Sequence, residues 1–196
     1  MPAERLCAAL LAYTASLAEL VARNDQAMPV PACPDWTLRQ LATHVGRAHR
    51  WAGESVATRS SQFIEFRSVP DAKSPPGAEG QATWLTAGAD RFVDAVTAAG
   101  DDLVWAFTTP APASFWARRI AHETAVHLAD VQLAVGHATA VAGDLAADAI
   151  DEWLTVMSPL NDGGNDLTSI LPAGTAMLVQ VTEPGAAGEW LVRHAS

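Results

Sequence analysis

The most informative segment of the chain reads RRIAHETAVH, from Arg118 to His127, and has the periodicity of an amphipathic helix. Its inward row is predicted to contain residues spaced three and four apart, namely Ile120, Glu123, His127, Val131 and Ala134. An unpaired carboxylate on a buried stripe is strongly disfavoured. We therefore expect Glu123 and His127 to share a partner, and a metal ion completed by a ligand from another helix would be one.

Four long amphipathic helices are predicted around this segment, separated by stretches rich in proline and glycine. They run from about Ala3 to Arg23, from the Thr37–Gln40 capping box to about Val56, from about Trp84 to Gly100, and from about Ser114 to Val135. Four such helices predict a mainly α protein built as a four-helix bundle. The core of a bundle is a usual place for metal sites made from facing helices.

The pattern changes after residue 140. A fifth helix is predicted from Asp144 to Met157, with an inward row of Leu145, Ile150, Trp153, Leu154 and Met157. After a loop at 161–166, alternating residues at 175–182 and 190–193 predict a β-hairpin whose turn lies at 183–188. We therefore assign residues 1–140 to a metal-binding helical bundle and 141–196 to a short or incomplete C-terminal α/β segment.

Composition excludes several functional classes. The formal net charge of −10 and the lack of a basic run disfavour binding to nucleic acid and to anionic membranes. The apolar stretch from Leu6 to Ala18 has helical spacing, which favours a core helix over a secretory signal. Cys7 and Cys33 are the only cysteines, too few for a disulfide framework, so we expect a cytoplasmic protein. In its proline-rich loop, Cys33 is expected to be a buried filler rather than a reactive thiol.

The second helix offers a further ligand. His44 lies with Trp51 at the border of the apolar stripe and is expected to point partly inward, whereas His49 is expected at the surface or rim. Two histidines and one carboxylate leave an open position on zinc or iron, which is typical of a catalytic metal. Because Glu-x-x-x-His pairs also occur on solvated helix faces, spacing alone leaves the solvated alternative open.

Two separated motifs, found in order, resemble the mycothiol-dependent maleylpyruvate isomerase family, whose members are DinB-like metal-binding bundles. The first is VPACPDWT at 30–37, followed by LATHVG at 41–46 and HRW at 49–51; the second is RRIAHETAVH at 118–127 with Asp130. The resemblance covers roughly residues 5–140 as the bundle. The segments DEWL at 151–154 and GEWLV at 188–192 resemble the start of the family's C-terminal α/β domain.

By this resemblance His44, Glu123 and His127 correspond to the family's three metal ligands. The metal is usually zinc, with iron or nickel as alternatives, and mycothiol is the implied thiol cofactor. A thiol on a divalent cation loses its proton readily, which presents a nucleophilic thiolate near neutral pH. Such a thiolate could add to an activated double bond, allow rotation and depart, as in an isomerase, or stay attached, as in an S-transferase. Small electrophilic substrates are therefore expected.

Family members that isomerise maleylpyruvate continue past the Trp-Leu-Val-Arg strand into elements that contribute a substrate-binding arginine. We therefore expect a different activity, a replacement for that wall, or a working protein longer than this sequence. Two other functions stay open: a non-catalytic binding module for a small molecule or thiol conjugate, and a hydrolase using metal-bound hydroxide. Pairing of an exposed hairpin edge with a second copy would give a homodimer.

Weaker predictions concern the cofactor and the surroundings of the ligands. Trp51, Arg50 and Arg119 are our candidates for binding the cofactor, and Arg47 is a further candidate for contacting the carboxylate of a substrate or cofactor. Trp36 and Trp51 are candidates for the mouth of the pocket; salt bridges for the arginines and core packing for the tryptophans are the competing interpretations. Asp130, one turn after His127, either orients a ligand histidine or is an exposed carboxylate. His122 points elsewhere and is expected to be structural or solvated.

Overall fold

The computed structural model describes residues 1–157, 171–182 and 188–193, and the chain forms two compact units, residues 1–140 and 141–196. The first contains four α-helices: α1 (Ala3–Arg23), α2 (Leu38–Ala57), α3 (Ala78–Ala99) and α4 (Ser114–Ala134). Two short strands, β1 (Leu103–Val104) and β2 (Ala111–Pro112), pair in antiparallel fashion before α4. The expected mainly α bundle is therefore confirmed.

The four helices enclose an apolar core. Helix α1 packs on α3 and α4, and α2 packs on the same two helices, so α1 and α2 stand at diagonal corners of the bundle. The core is filled by aliphatic side chains from all four helices, including Leu17, Val21, Leu41, Val45, Leu85 and Val131. Burying each such side chain stabilises the fold by roughly 1.5–3 kcal/mol. The core thus fixes α2 beside α4, the pair of helices that carries the histidines and Glu123.

Helix α1 is, within the described part of the chain, the one helix long and apolar enough to cross a membrane by length and composition. A helix that lies in the core of a protein can have the same length and apolar composition. The leucines of α1 at 6, 10 and 17 and its Val21 are buried in the bundle. This is the packing that its helical spacing predicts.

The start of α2 is defined by the predicted capping box. Thr37 Oγ1 accepts from the Gln40 backbone N–H at 3.3 Å, and Gln40 Oε1 accepts from the Thr37 N–H at 2.8 Å. The preceding chain folds back on itself, since the Val30 N–H donates to the Trp36 carbonyl and the Leu38 N–H to the Met28 carbonyl. This arrangement brings Cys33 and Trp36 to the side of α2 that carries His44.

Glycines let α2 and α3 approach closely. A Cβ at Gly46 would overlap the Trp84 ring, and a Cβ at Gly88 would overlap the Arg50 guanidinium. Because the helices are so close, His49 is fully buried, and the expectation of a surface or rim position for it is wrong. Its Nε2 lies 2.9 Å from Thr124 Oγ1 on α4, which gives the buried imidazole a polar partner.

Helix α3 begins at Ala78, almost two turns before the predicted start, and ends at Ala99, where it is followed by the capping residue Gly100 with a φ of 55°. The apolar pattern misses the first turns because their inward residue is polar. Gln81 is fully buried, and its Nε2 lies within hydrogen-bond distance of the Arg39 carbonyl, Thr43 Oγ1 and Ser74 Oγ.

Residues 58–77, which we call the α2–α3 loop, contain a single 3₁₀ turn (Phe66–Ser68). Side chains of α2 hold this loop by donating to its backbone carbonyls: Arg39 to Pro75 at 3.0 Å, Arg47 to Ala72 at 3.1 Å and Trp51 to Ile64 at 2.7 Å. Such bonds replace the backbone pairing that regular structure would supply. The loop is therefore attached along the length of α2.

The second unit contains α5 (Gly143–Glu152), a π-helical turn (Trp153–Met157), and strands β3 (Ala176–Gln180) and β4 (Glu189–Arg193). The strands form the expected antiparallel hairpin, with Val179 opposite Trp190. The helix was expected to remain α to Met157, but its last turn is π-helical and Trp153 is exposed. Its exposure of 39% makes the inward prediction wrong. The predicted loop at 161–166 and most of the predicted turn lie outside the described residues.

Candidate metal centre

Three side chains from two helices converge between α2 and α4, and we call them the His–Glu–His cluster: His44, Glu123 and His127. His44 Nε2 lies 2.9 Å from Glu123 Oε1, and His127 Nε2 lies 3.4 Å from the same oxygen. All three donor atoms lie within 4.8 Å of one another. The side chains are 41%, 30% and 13% exposed, respectively, so the cluster stands at the edge of the core rather than within it.

The orientation of His127 is set by Asp130. His127 Nδ1 lies 3.0 Å from Asp130 Oδ2, so the imidazole donates its Nδ1 proton to the carboxylate. In the neutral imidazole this tautomer leaves the Nε2 lone pair directed at the cluster, which is the state a metal ligand needs. Of the two readings of Asp130, the structure therefore favours the orienting carboxylate.

Cys33 also reaches this carboxylate, because its Sγ donates to Asp130 Oδ2 at 3.5 Å. Burial and the nearby Asp130 charge raise the pKa of the Cys33 thiol to about 11. A thiol with that pKa stays protonated near neutral pH and is a poor nucleophile. The expectation that Cys33 is not a reactive thiol agrees with this environment, although the side chain is only half-buried.

Electrostatic contacts keep Glu123 ionised. Burial acts to raise the pKa of its carboxyl group, but the contacts with His127 and His44 and the charge of Arg119 outweigh burial and hold the pKa well below its usual range. Arg119 Nη2 lies 3.1 Å from Glu123 Oε2. For His127 burial acts to lower the pKa, whereas Glu123 and Asp130 together raise it. The cluster thus offers one fixed negative charge facing two imidazoles.

This donor set fits a divalent cation. Zinc bonds of about 2.0–2.1 Å in a tetrahedral site put neighbouring donor atoms about 3.3 Å apart. The two nitrogen-to-oxygen distances of 2.9 and 3.4 Å bracket that value. Two imidazoles and one carboxylate would leave coordination positions open. The arrangement can therefore hold zinc or a similar cation and still admit an external ligand.

A cavity of about 980 Å³ adjoins the cluster at His44. One wall is the face of α2 that includes His44 and Trp51, and the other is the α2–α3 loop. Trp36 reaches both the cavity and the cluster, since its ring centroid lies 5.0 Å from that of His44 and 6.3 Å from that of His127. The volume is at the upper end of the range for pockets that bind small organic ligands.

The three residues predicted to bind the cofactor have different positions. Trp51 lines the cavity and stacks on Phe66, with ring centroids 5.0 Å apart. Arg119 contacts Glu123 as described above. Arg50 is buried over the Trp84 ring, 4.0 Å from its centroid, and its guanidinium donates to the Gly46 and Trp84 carbonyls. Arg50 therefore has a structural role between α2 and α3 and does not line the cavity.

Part of the cavity lining lies outside the residues predicted from the sequence. The lining residues that were not predicted to lie at a pocket are Arg39, Gln40 and Thr43 on α2, and Phe66, Arg67, Val69, Asp71, Ala72 and Lys73 on the loop. The α2 members could have been found, because Arg39, Thr43 and Arg47 repeat every four residues beside His44. The loop members have no periodicity, and no comparable pattern places them.

The comparisons with known proteins agree with the residue-level resemblance. The family model described as the mycothiol maleylpyruvate isomerase N-terminal domain matches residues 7–132. That range contains α2 and α3 in full, most of α1 and α4, the whole His–Glu–His cluster and the cavity lining. No curated protein and no solved structure matches the chain.

Proposed function

Because this chain belongs to the mycothiol maleylpyruvate isomerase N-terminal domain family, we propose that it is a metal-dependent enzyme that uses mycothiol. Its reaction would be an isomerisation or a thiol S-transfer on a small electrophilic substrate. The observation that carries this proposal is the convergence of His44, Glu123 and His127 beside a ligand-sized cavity. A cytoplasmic location remains a prediction, as does a homodimer.

Each member of the site has a defined task in this proposal. His44, Glu123 and His127 would hold the cation, and Asp130 would keep the Nε2 lone pair of His127 directed at it. Arg119 engages Glu123 Oε2 and so leaves Oε1 to face the two imidazoles. The bound cation would supply one chemical effect: it lowers the pKa of a thiol that reaches it, so that a thiolate is available near neutral pH.

The cavity would bind the organic parts of the reactants. A thiol such as mycothiol needs room for two sugar-sized rings, and the electrophile must lie against its sulfur. Trp36 and Trp51 offer apolar surfaces at which water is excluded from this space. If the sulfur adds to an activated carbon–carbon double bond, rotation about the resulting single bond followed by departure of the thiol would yield an isomer. Protonation of the adjacent carbon with the sulfur still attached would instead yield a conjugate.

Cobalt substitution tests the proposal directly. Cobalt-loaded protein should develop a sulfur-to-cobalt charge-transfer absorption band when mycothiol is added, and mycothiol should support turnover with members of a panel of activated alkenes. The Glu123→Gln variant should lose both properties. The Glu19→Gln variant is the matched control, because Glu19 pairs with Arg23 on the exposed face of α1. A band without turnover would favour a binding module, and turnover without any thiol would favour a hydrolase.

A further inference from the structure

The hairpin of the second unit leaves its outer edges open within the described residues. Strand β4 pairs with β3 on one side, and none of the described strands lies on its other side. An edge strand presents backbone N–H and C=O groups to which a further strand can bind. A hairpin of two strands is also only marginally stable without further packing. Each open edge is therefore a surface that another strand would stabilise.

The pairing with β3 determines which backbone groups of β4 point to its open edge. The Val181 N–H donates to the Gly188 carbonyl at 2.9 Å, so this carbonyl is directed at the β3 side of the hairpin. Hydrogen-bonded positions alternate along an antiparallel strand. Since the register runs one to one through the hairpin, Trp190 and Val192 direct their groups to β3 in the same way. The residues whose N–H and C=O groups point to the open edge are therefore Glu189, Leu191 and Arg193.

The order of the side chains in β4 is self-complementary. Its five residues read EWLVR, with an acid at one end, a base at the other and a leucine in the middle. When two copies of β4 lie antiparallel about Leu191, Glu189 lies opposite Arg193 of the partner subunit. The same register places Trp190 opposite Val192 of the partner subunit. Opposite charges and aromatic residues facing β-branched ones are cross-strand pairs that stabilise sheets, and two-fold symmetry makes each pair occur twice.

The same register matches the backbone groups of the two copies. Leu191 would exchange two hydrogen bonds with Leu191 of the partner subunit, and Glu189 would exchange two with Arg193 of the partner subunit. A shift by one residue would place groups that point to the edge opposite groups that point to β3. A shift by two residues would keep the backbone match but would place Glu189 opposite Leu191, so the charge pairs would be lost. Backbone and side chains therefore select one register.

A row of leucines would cross the resulting four-stranded sheet. Leu178 on β3 lies opposite Leu191, and the two are 51% and 53% exposed. Pairing at β4 would place the same two leucines of the second copy beside them on the same face, which would give one continuous apolar row. The edge of β3 is less complementary, since antiparallel pairing about Leu178 would place Ala176 opposite Gln180. Strand β4 is therefore the edge that fits a second copy.

We propose that β4 is the homodimer interface of this protein, with two copies paired antiparallel about Leu191 in a four-stranded sheet. The proposal gives the predicted homodimer a defined strand, register and symmetry. It depends neither on the candidate metal centre nor on the proposed reaction. Because the two copies use the same complementary edge, their pairing leaves neither β4 edge available for a third chain, and dimers rather than extended assemblies are expected.

Charge reversal within β4 tests the interface. Sedimentation velocity of the full chain over roughly 1–200 μM measures the Kd of the dimer. Arg193→Glu turns both opposite-charge pairs into like-charge pairs, as does Glu189→Arg, and each should raise this Kd at least about tenfold. The matched controls lie on the exposed face of α1, where Arg23→Glu and Glu19→Arg make the same changes in net charge. Each control should change the Kd less than about twofold, because distant exposed charges are screened by salt.

Mixing the two charge-reversed variants distinguishes lost pairing from lost folding. Arg193→Glu has an acid at both ends of β4 and Glu189→Arg has a base at both ends, so a heterodimer of the two regains both charge pairs. We expect an equimolar mixture, and also the double variant Glu189→Arg/Arg193→Glu, to dimerise with a Kd within about threefold of the parent. A parent that stays monomeric throughout the concentration range would overturn the proposal. So would single variants with an unchanged Kd, or a mixture or double variant that stays monomeric.

Discussion

Replacing Asp130 by asparagine should weaken zinc binding about tenfold to a hundredfold while leaving the protein folded. Asp130 accepts the Nδ1 proton of His127 at 3.0 Å, and its side chain is only 15% exposed. A hydrogen bond to a charged and largely buried acceptor contributes about 1.5–3 kcal/mol. Asparagine keeps the shape and an acceptor oxygen but loses the charge, so it loses most of this stabilisation of the His127 tautomer that carries its proton on Nδ1. Since 1.4 kcal/mol corresponds to a factor of ten, the loss amounts to the stated change in zinc affinity.

The assay is competition for zinc between the metal-free protein and a chromophoric chelator, with thermal melting of the same samples to check folding. Asp90→Asn is the matched control, because Asp90 is an exposed carboxylate on α3 whose loss changes net charge equally. We expect this control to bind zinc like the parent. Zinc affinity of Asp130→Asn within twofold of both proteins would refute the argument that Asp130 prepares His127 as a ligand.

Three further changes test the fold that supports the site. Burial beside Arg50 lowers the pKa of His49 from 6.5 to about 4. Between these two pH values the unfolded chain therefore binds a proton that the folded chain does not. About 3 kcal/mol of folding stability, fully present above pH 6.5, should be lost as the pH falls towards 4. In chemical denaturation, the free energy of unfolding of His49→Gln should fall less steeply between pH 6.5 and 4 than that of the parent. An identical dependence on pH in both proteins would contradict the assignment to His49. Gly46→Ala should destabilise by about 1–3 kcal/mol through overlap with Trp84, and an unchanged melting temperature would refute that close packing. Thr37→Ala should cost about 1 kcal/mol through loss of the cap, which urea denaturation can measure against Thr37→Ser, where little change is expected.

Helical periodicity predicted much of the bundle because it reports burial directly. The bounds of α1 and the start of α2 follow from apolar spacing and the capping box, and both are found where expected. The same periodicity placed Glu123 and His127 on one side of α4. Residues outside that regularity were harder to predict, since the first turns of α3 are anchored by the polar Gln81 and carry no apolar stripe.

The positions of His49 and Arg50 depend on helix-to-helix distance, which a single stripe does not encode. Only the glycines at 46 and 88 indicate the close approach of α2 and α3 that buries both side chains. The cavity is harder still to derive, because one wall is the α2–α3 loop. Its position results from side-chain bonds to backbone carbonyls, which have no sequence spacing of their own.

The central claim is that His44, Glu123 and His127 hold one divalent cation. Elemental analysis of protein purified without chelators, related to protein concentration, measures this directly. We expect about one zinc, iron or nickel ion per chain in the parent, and a much lower ratio in folded His44→Ala, Glu123→Gln and His127→Ala. A parent protein that is folded, has been offered these metals and still retains none of them would contradict it.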